Sequence, residues 1–173
     1  LGTIYHAYRT PAGAWLGPTP VGTTPNPSYT SAQGLAFDAA GTLHAIWAGE
    51  RELYYSQKPA NGAWSAQIKT EGGPAAAIAT DSRGGVHIIT YKVDWNSRSQ
   101  VFYLERLPSG QWQPLRSLDP GDGSGSVAIV VGPDDRTHLL WSEDRRGLFY
   151  QSRSANRVWG AREQIDGDTY TFD

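Results

Sequence analysis

Cysteine and methionine are both absent from the 173 residues. Without cysteine the chain has no disulfide, no thiolate nucleophile and no zinc–sulfur site. That absence fits a secreted bacterial protein and a cytosolic one equally well. Clustered charge is missing too: 15 Lys and Arg stand against 17 Asp and Glu, for a net charge of -2, and apart from Arg145-Arg146 the basic residues are scattered singly. Nucleic acid and anionic membrane surfaces require concentrated positive charge, so neither is expected as a partner. No apolar run approaches the ~18 residues of a membrane-spanning helix, and nothing reads as a helix of useful length. With no methionine at position 1, the chain opens on Leu1-Gly2-Thr3-Ile4-Tyr5, which reads as a strand interior and as a processed or excised piece.

What the chain has in quantity is glycine, proline and a repeated tryptophan. Twenty Gly and eleven Pro spread along the sequence suit an all-β domain with many turns. Trp15, Trp64, Trp112 and Trp159 are spaced by 49, 48 and 47 residues, each nine residues after an aromatic ring: His6, Tyr55, Tyr103 and Tyr150. Repetition at this period points to propellers or related arrays.

The second repeat is the clearest. Gly34–Phe37 is a short apolar strand, Asp38-Ala39-Ala40-Gly41 a turn, and Thr42–Trp47 a second strand that is apolar on both faces. The polar loop Ala48–Arg51 leads to a third strand, Leu53–Ser56, and Asn61-Gly62 turns into a fourth, Ala63–Ile68. The third repeat aligns as Ala75–Ala79, Asp81–Gly84, Val86–Ile89, Val101–Tyr103 and Gly110–Trp112. The fourth aligns as Val127–Val131, Thr137–Trp141, Leu148–Tyr150 and Val158-Trp159, with Gly132 and Asp135 where the others have Asp and Gly.

Four antiparallel strands per repeat, with inner strands lacking a solvent face, describe propeller blades. A β-solenoid is the competing architecture, but its repeats are usually shorter and lack this hairpin order. The expected fold is therefore an all-β propeller with approximate repeats over 1–21 (third and fourth strands only), 34–70, 74–118, 125–165 and a partial 169–173. That tally falls one strand short of four closed blades. If an open stack exposed ~500 Å² of mainly apolar surface per face, each face would forfeit roughly 12 kcal/mol. Closure in trans is expected, against another copy or the rest of a parent propeller.

The pattern Asp-x-x-Gly-x-x-His, an aromatic strand and then Gly-x-Trp resembles bacterial sialidase-like propellers of the BNR, or Asp-box, class. Asp38–His44 with Leu53–Ile68 carries it, as does Asp81–His87 with Val101–Leu118. A full Asp-box reads Ser-x-Asp-x-Gly-x-x-Trp between the third and fourth strands. Here Ser56–Trp64 and Ser152–Trp159 keep the Ser, the polar turn and the Trp but lose the Asp and the spacing, so the resemblance is to a degenerate member. Sialidases of that superfamily hold the substrate carboxylate with three arginines and use a Tyr–Glu nucleophile pair with an acid Asp. The first arginine lies in a Phe-Arg-Ile-Pro-like stretch that this chain lacks, and no catalytic residue maps. The resemblance implies a fold and a secreted, glycan-related context, not sialidase activity.

Histidines His44, His87 and His138 recur a blade apart, and the favoured reading is a hydrogen-bonded structural residue. In propellers the loops after second and fourth strands open on one face, and loops carry function on rigid scaffolds. After the second strand the third repeat has a surplus, Lys92–Arg98, where Asp94, Trp95, Asn96 and Arg98 have the composition that stacks on a sugar and bonds its hydroxyls. The flanking loops hold Glu50-Arg51-Glu52 and Glu143-Asp144-Arg145-Arg146, and paired carboxylates there would suit glycoside hydrolysis if ~5–10 Å apart. Tyr29, in the Pro/Thr-rich segment 18–31, could stack on a ligand. Asp119–Gly123 reads as a connector, and no metal or cofactor is expected. The expected function is a noncatalytic glycan- or protein-binding module. The alternatives are a glycoside hydrolase fragment that needs further blades, and a protein–protein scaffold.

Overall fold

The Asp-x-x-Gly turns are built by their own first residue. In the computed structural model, which describes residues 1–93, 99–119, 126–143 and 146–166, Asp38 Oδ1 accepts from the backbone N–H groups of Ala40 (3.0 Å) and Thr42 (2.8 Å). Asp81 does the same for Arg83 (3.0 Å) and Gly85 (2.6 Å). The fourth turn residue sits in the left-handed region, where glycine is unstrained: Gly41 at φ 78° and Gly84 at φ 85°. Asp135 takes that position in the last repeat at φ 57°, a conformation aspartate tolerates better than most side chains.

These turns join strands into four antiparallel sheets. The first holds β1 (Gly2–Arg9) and β2 (Trp15–Thr24), which is followed by a short 3-10 turn, Pro27–Tyr29. The second holds β3 (Ser31–Phe37), β4 (Leu43–Ala48), β5 (Leu53–Lys58) and β6 (Ile68–Thr70). The third holds β7 (Ala75–Thr80), β8 (Val86–Val93), β9 (Ser99–Arg106) and β10 (Arg116–Asp119). The fourth holds β11 (Val127–Val131), β12 (Thr137–Glu143), β13 (Gly147–Arg153) and β14 (Glu163–Asp166). Each four-stranded sheet runs in chain order, and β7 packs beside both β3 and β11, so the first strands line a common axis. This is a β-propeller arrangement, with no α-helix among the described residues.

The core lies between blades, not within one. Ala45 and Trp47 of β4 meet Val21 and Ile4 of the first sheet, whereas Ile46 of the same strand meets Val86, Ile88 and Leu104 of the third blade. Side chains alternate across a strand, so a strand between two neighbours is buried on both faces. All six residues of β4 are buried. In β12, buried and half-buried residues alternate strictly: Leu139 and Trp141 pack on the third blade while His138 and Leu140 face away from it. At the other end, Leu35 and Phe37 of β3 are 59% and 67% exposed, beside a first sheet that has only two described strands.

The repeated tryptophan is the wedge. Trp112 meets Tyr55 of the preceding blade edge-on at 5.1 Å, and Trp159 meets Tyr103 likewise at 5.0 Å. Trp64 meets His6 at 5.5 Å, and Trp15, with no described sheet before it, is 69% exposed. Such edge-to-face pairs contribute about 0.5–1.5 kcal/mol beyond the area they bury.

Two expectations need correction. In the three four-stranded blades the fourth strands do not begin at the tryptophans, as β2 does at Trp15: Trp64 lies outside any strand, and Trp112 and Trp159 make isolated bridges with Arg106 and Arg153. The chain leaves the ladder there because the ring turns toward the preceding blade, and regular pairing resumes only at Ile68, Arg116 and Glu163. Lys92 and Val93 belong to β8, not to the loop, since they pair with Gln100 and Ser99. The expected innermost strand at 169–173 lies outside the described residues.

Candidate functional site

The rim is formed by the turns after second strands and the connections after fourth strands. In the β4–β5 turn the Gly49 N–H donates to the Glu52 carbonyl at 2.9 Å, leaving Glu50 and Arg51 exposed at the tip. Glu52 folds back onto the sheet, where it accepts from the Lys69 ammonium and the Tyr54 hydroxyl. Lys69, then Tyr54, hold its carboxyl below the usual range, and burial together with Glu52 pushes the Tyr54 phenol up to about 12.

Tyr29, 53% exposed, closes the 3-10 turn that Asn26 caps by accepting from the Ser28 N–H at 3.1 Å. That segment leaves β2 at Thr24, whose side chain lies beside Gly49. Tyr29, Glu50 and Arg51 therefore sit on adjoining segments of the rim.

At the β12–β13 turn, Glu143 is buried despite its charge. It accepts from Trp141 Nε1 at 2.9 Å and pairs with Arg162 and Arg146, each at 3.2 Å. Two guanidiniums thus offset its charge within the chain. Asp144 and Arg145 of the same turn, and Asp94, Trp95, Asn96 and Arg98 of the β8–β9 loop, lie outside the described residues.

The register histidines are structural. His44 sits between Asp38 (3.2 Å) and the Tyr55 hydroxyl (2.7 Å), and His87 between Asp81 (3.2 Å) and the Tyr103 hydroxyl (2.5 Å). Burial lowers the His44 pKa against the pull of Asp38. Burial alone would raise Asp38, but the Thr42 N–H and His44 hold it low, and the bond from His87 brings Asp81 down to about 2. Among the described residues His138 keeps only the Tyr150 hydroxyl, at 2.7 Å, because Gly132 stands where the other turns have Asp. The displaced acid, Asp135, reaches the neighbouring blade and accepts from the Ser82 N–H (2.8 Å) and hydroxyl (2.7 Å). Among the described residues no three His, Asp or Glu side chains are grouped to hold a metal ion.

A second polar centre is one that strand-by-strand reading misses. Glu105 of β9, 7% exposed, accepts from Arg153 Nη2 at 3.0 Å across the interface between third and fourth blades, and Arg157 adds a contact at 3.2 Å. Arg153 also stacks 5.4 Å over Tyr103. The available signal was the basic residue three positions after each register aromatic: Arg9, Lys58, Arg106 and Arg153.

No family model matches the chain, and neither does any curated protein. Among solved structures the chain is similar to one described as "Hadza microbial sialidase Hz136", with a TM-score of 0.61 and 15% identity over 94% of this chain and 40% of that one. The likeness is one of fold, and this chain spans under half of that sialidase.

Proposed function

We propose that the chain is a noncatalytic sialidase-like propeller module whose rim binds a glycan in an extracellular setting. The observation that carries this reading is the state of the acids. Glycoside hydrolysis needs one carboxyl kept protonated near neutral pH. Every carboxyl shift resolved among the described residues is downward, at Asp38, Glu52, Asp81 and Asp135. The rim acids Glu52 and Glu143 have cationic partners within the chain. Exposed Tyr29, Glu50 and Arg51, with the loop that carries Asp94, Trp95, Asn96 and Arg98 and the turn that carries Asp144 and Arg145, supply stacking and hydrogen-bonding groups.

A glycan array probed with the labelled chain tests this. Saturable binding that weakens about tenfold or more in Trp95→Ala or Tyr29→Ala is expected, and profiles unchanged in both variants refute the assignment. A second reading is favoured by the sialidase likeness and its partial span: a glycoside hydrolase whose centre draws on further blades. Release of 4-methylumbelliferone from a sialoside by this chain would establish it in place of the first. Both readings include closure of the stack against another copy or further blades.

A further inference from the structure

Successive blade interfaces present the same cleft at the end where first strands turn into second strands and third into fourth. Between third and fourth blades it is lined by Glu105, Arg153 and Arg157 among others and measures about 110 Å³. Between second and third blades it is lined by Asp38, Gln57, Arg83, Arg106, Ser109 and neighbours and measures about 560 Å³. Two positions set the charged lining of the clefts apart, and the bonds of Ser82 and Arg83 to Asp135 and Ala155 further close the smaller one. Gln57 holds the register of Glu105, two residues after the aromatic, and Gly110 holds the register of Arg157, two residues before the tryptophan. The turn backbone is left-handed in both cases, at φ 91° for Gly110 and φ 65° for Arg157. Where the fourth blade sends a long cation into the cleft from this position, the third blade has no side chain.

The consequence falls on Arg106. Like Arg153, it stacks over the tyrosine of the preceding blade, at 5.6 Å from Tyr55, and the Nε of each is buried without a partner among the described residues. The terminal nitrogens differ. Those of Arg153 are bonded to Glu105 and the Tyr103 hydroxyl. Those of Arg106 meet no carboxylate and no hydrogen-bond acceptor among the described residues, because the matching side chain is the neutral amide of Gln57, itself bonded to the Tyr55 hydroxyl at 3.0 Å. A half-buried guanidinium without an acid is costly, and one stacked on a ring is already oriented to receive a planar anion.

We infer that the cleft between second and third blades binds a small carboxylate anion, held by Arg106 with Gln57 beside it. The third–fourth interface is the internal precedent: the same guanidinium, on the same tyrosine, takes a carboxylate there. Asp38 does not forbid it, since its counterpart Asp81 lines the cleft that already holds Glu105. The volume lies within the ordinary range for small-ligand sites, about 300–1,000 Å³. The site lies at the ends of the β3–β4, β5–β6, β7–β8 and β9–β10 turns, apart from the rim turns, and stands or falls independently of the glycan reading.

The test is a titration of the 173-residue chain followed by proton–nitrogen NMR at the Arg106 Nε–H and the Gly110 amide, using D-glucuronate, glutarate and neutral D-glucose. A saturable shift with either acid, at a Kd on the order of 1 mM, and none with glucose is expected. A response to glucuronate alone marks a sugar acid, and a response to both marks a general carboxylate site. Gln57→Glu supplies the acid internally, so it should raise the Kd about tenfold or more while raising the melting temperature. Arg106→Met should abolish the shift at Gly110. No saturable shift with either acid, or full binding retained in Gln57→Glu, overturns the proposal.

Discussion

Replacing Glu105 by Gln keeps the side chain's shape and removes its charge from an interface where Arg153 is 7% exposed. Taking one partner from a buried ion pair costs roughly 3–5 kcal/mol, because the remaining charge stays desolvated. Two features pull the expected value to the lower end. Arg153 keeps its bond to the Tyr103 hydroxyl at 3.2 Å and its stacking on that ring. Arg157, 48% exposed, can turn to water. The expected loss is therefore about 3 kcal/mol, or roughly 6–12 °C in Tm for a chain of this size. Urea unfolding followed by tryptophan fluorescence and far-ultraviolet circular dichroism measures it, with an unchanged m-value indicating that the folded state is otherwise intact. The double variant Glu105→Gln/Arg153→Met removes the stranded cation as well and should recover about half of the loss or more. A single-variant loss under about 1 kcal/mol, or a double variant no better than the single, would refute the view that paired buried charge holds these blades together.

Further outcomes follow from the same geometry. Trp159→Ala should cost about 2 kcal/mol, since it removes a half-buried wedge from Tyr103, whereas Trp15→Ala, at the same register but 69% exposed, should stay within about 0.5 kcal/mol. Equal effects of the two in urea unfolding would contradict the wedge assignment. The Asp81 carboxyl is depressed to about 2 in the folded chain against 3.8 for an unperturbed group, so its contribution is fully present above that higher value and is lost as pH falls toward the lower. After solvent screening this is on the order of 1–2 kcal/mol. Asp81→Asn should flatten that part of an acid titration in fixed urea, and an unchanged slope tells against it. Folding also lowers the His44 pKa, so its contribution is present above the unfolded value of 6.5 and fades as pH drops below it. A plateau in wild-type stability through the region just below that value is the contrary result. Exposed Tyr5, Leu35 and Phe37 beside the two-stranded first sheet lead us to expect self-association at ~10 μM in light scattering, and a monodisperse monomer is the opposing outcome.

The parts of this fold that are legible in the sequence are those set by local chemistry or by a repeated register. Asp38 and Asp81 announce their turns because a short acidic side chain bonds the backbone two and four residues on. The tryptophan spacing announces blades because each ring must meet the blade before it. The starts of the fourth strands are not legible, since apolar residues after Asn61-Gly62 look alike whether they extend a ladder or tip inward as Trp64 does. The Glu105–Arg153 pair is hidden for a different reason. Its partners stand 48 residues apart in the chain, and neither lies in a run that marks it as buried. Of the candidate rim residues, Tyr29, Glu50 and Arg51 fall on adjoining described segments, and the rest lie beyond them.

The repeat therefore divides the residues into two kinds. Positions that keep their identity from blade to blade, such as the Tyr55, Tyr103 and Tyr150 register, answer the same packing demand at every interface. Positions that change identity make one interface unlike the next. Asp135 shows the change at its clearest: the acid that bonds a histidine within its own blade in the second and third repeats bonds Ser82 of the neighbouring blade in the fourth. Among the described residues the transfer leaves His138 with one partner and ties two blades by a contact that the second–third interface lacks. Gln57 and Gly110 are departures of the same kind, but they subtract a carboxylate and a cation, and the bond that Gln57 accepts from the Tyr55 hydroxyl stays within its own strand and ties no blades together. A departure that adds a contact explains itself through stability. One that removes contacts and leaves a guanidinium facing a cleft of about 560 Å³ has no such explanation, and binding is the use that its chemistry supports.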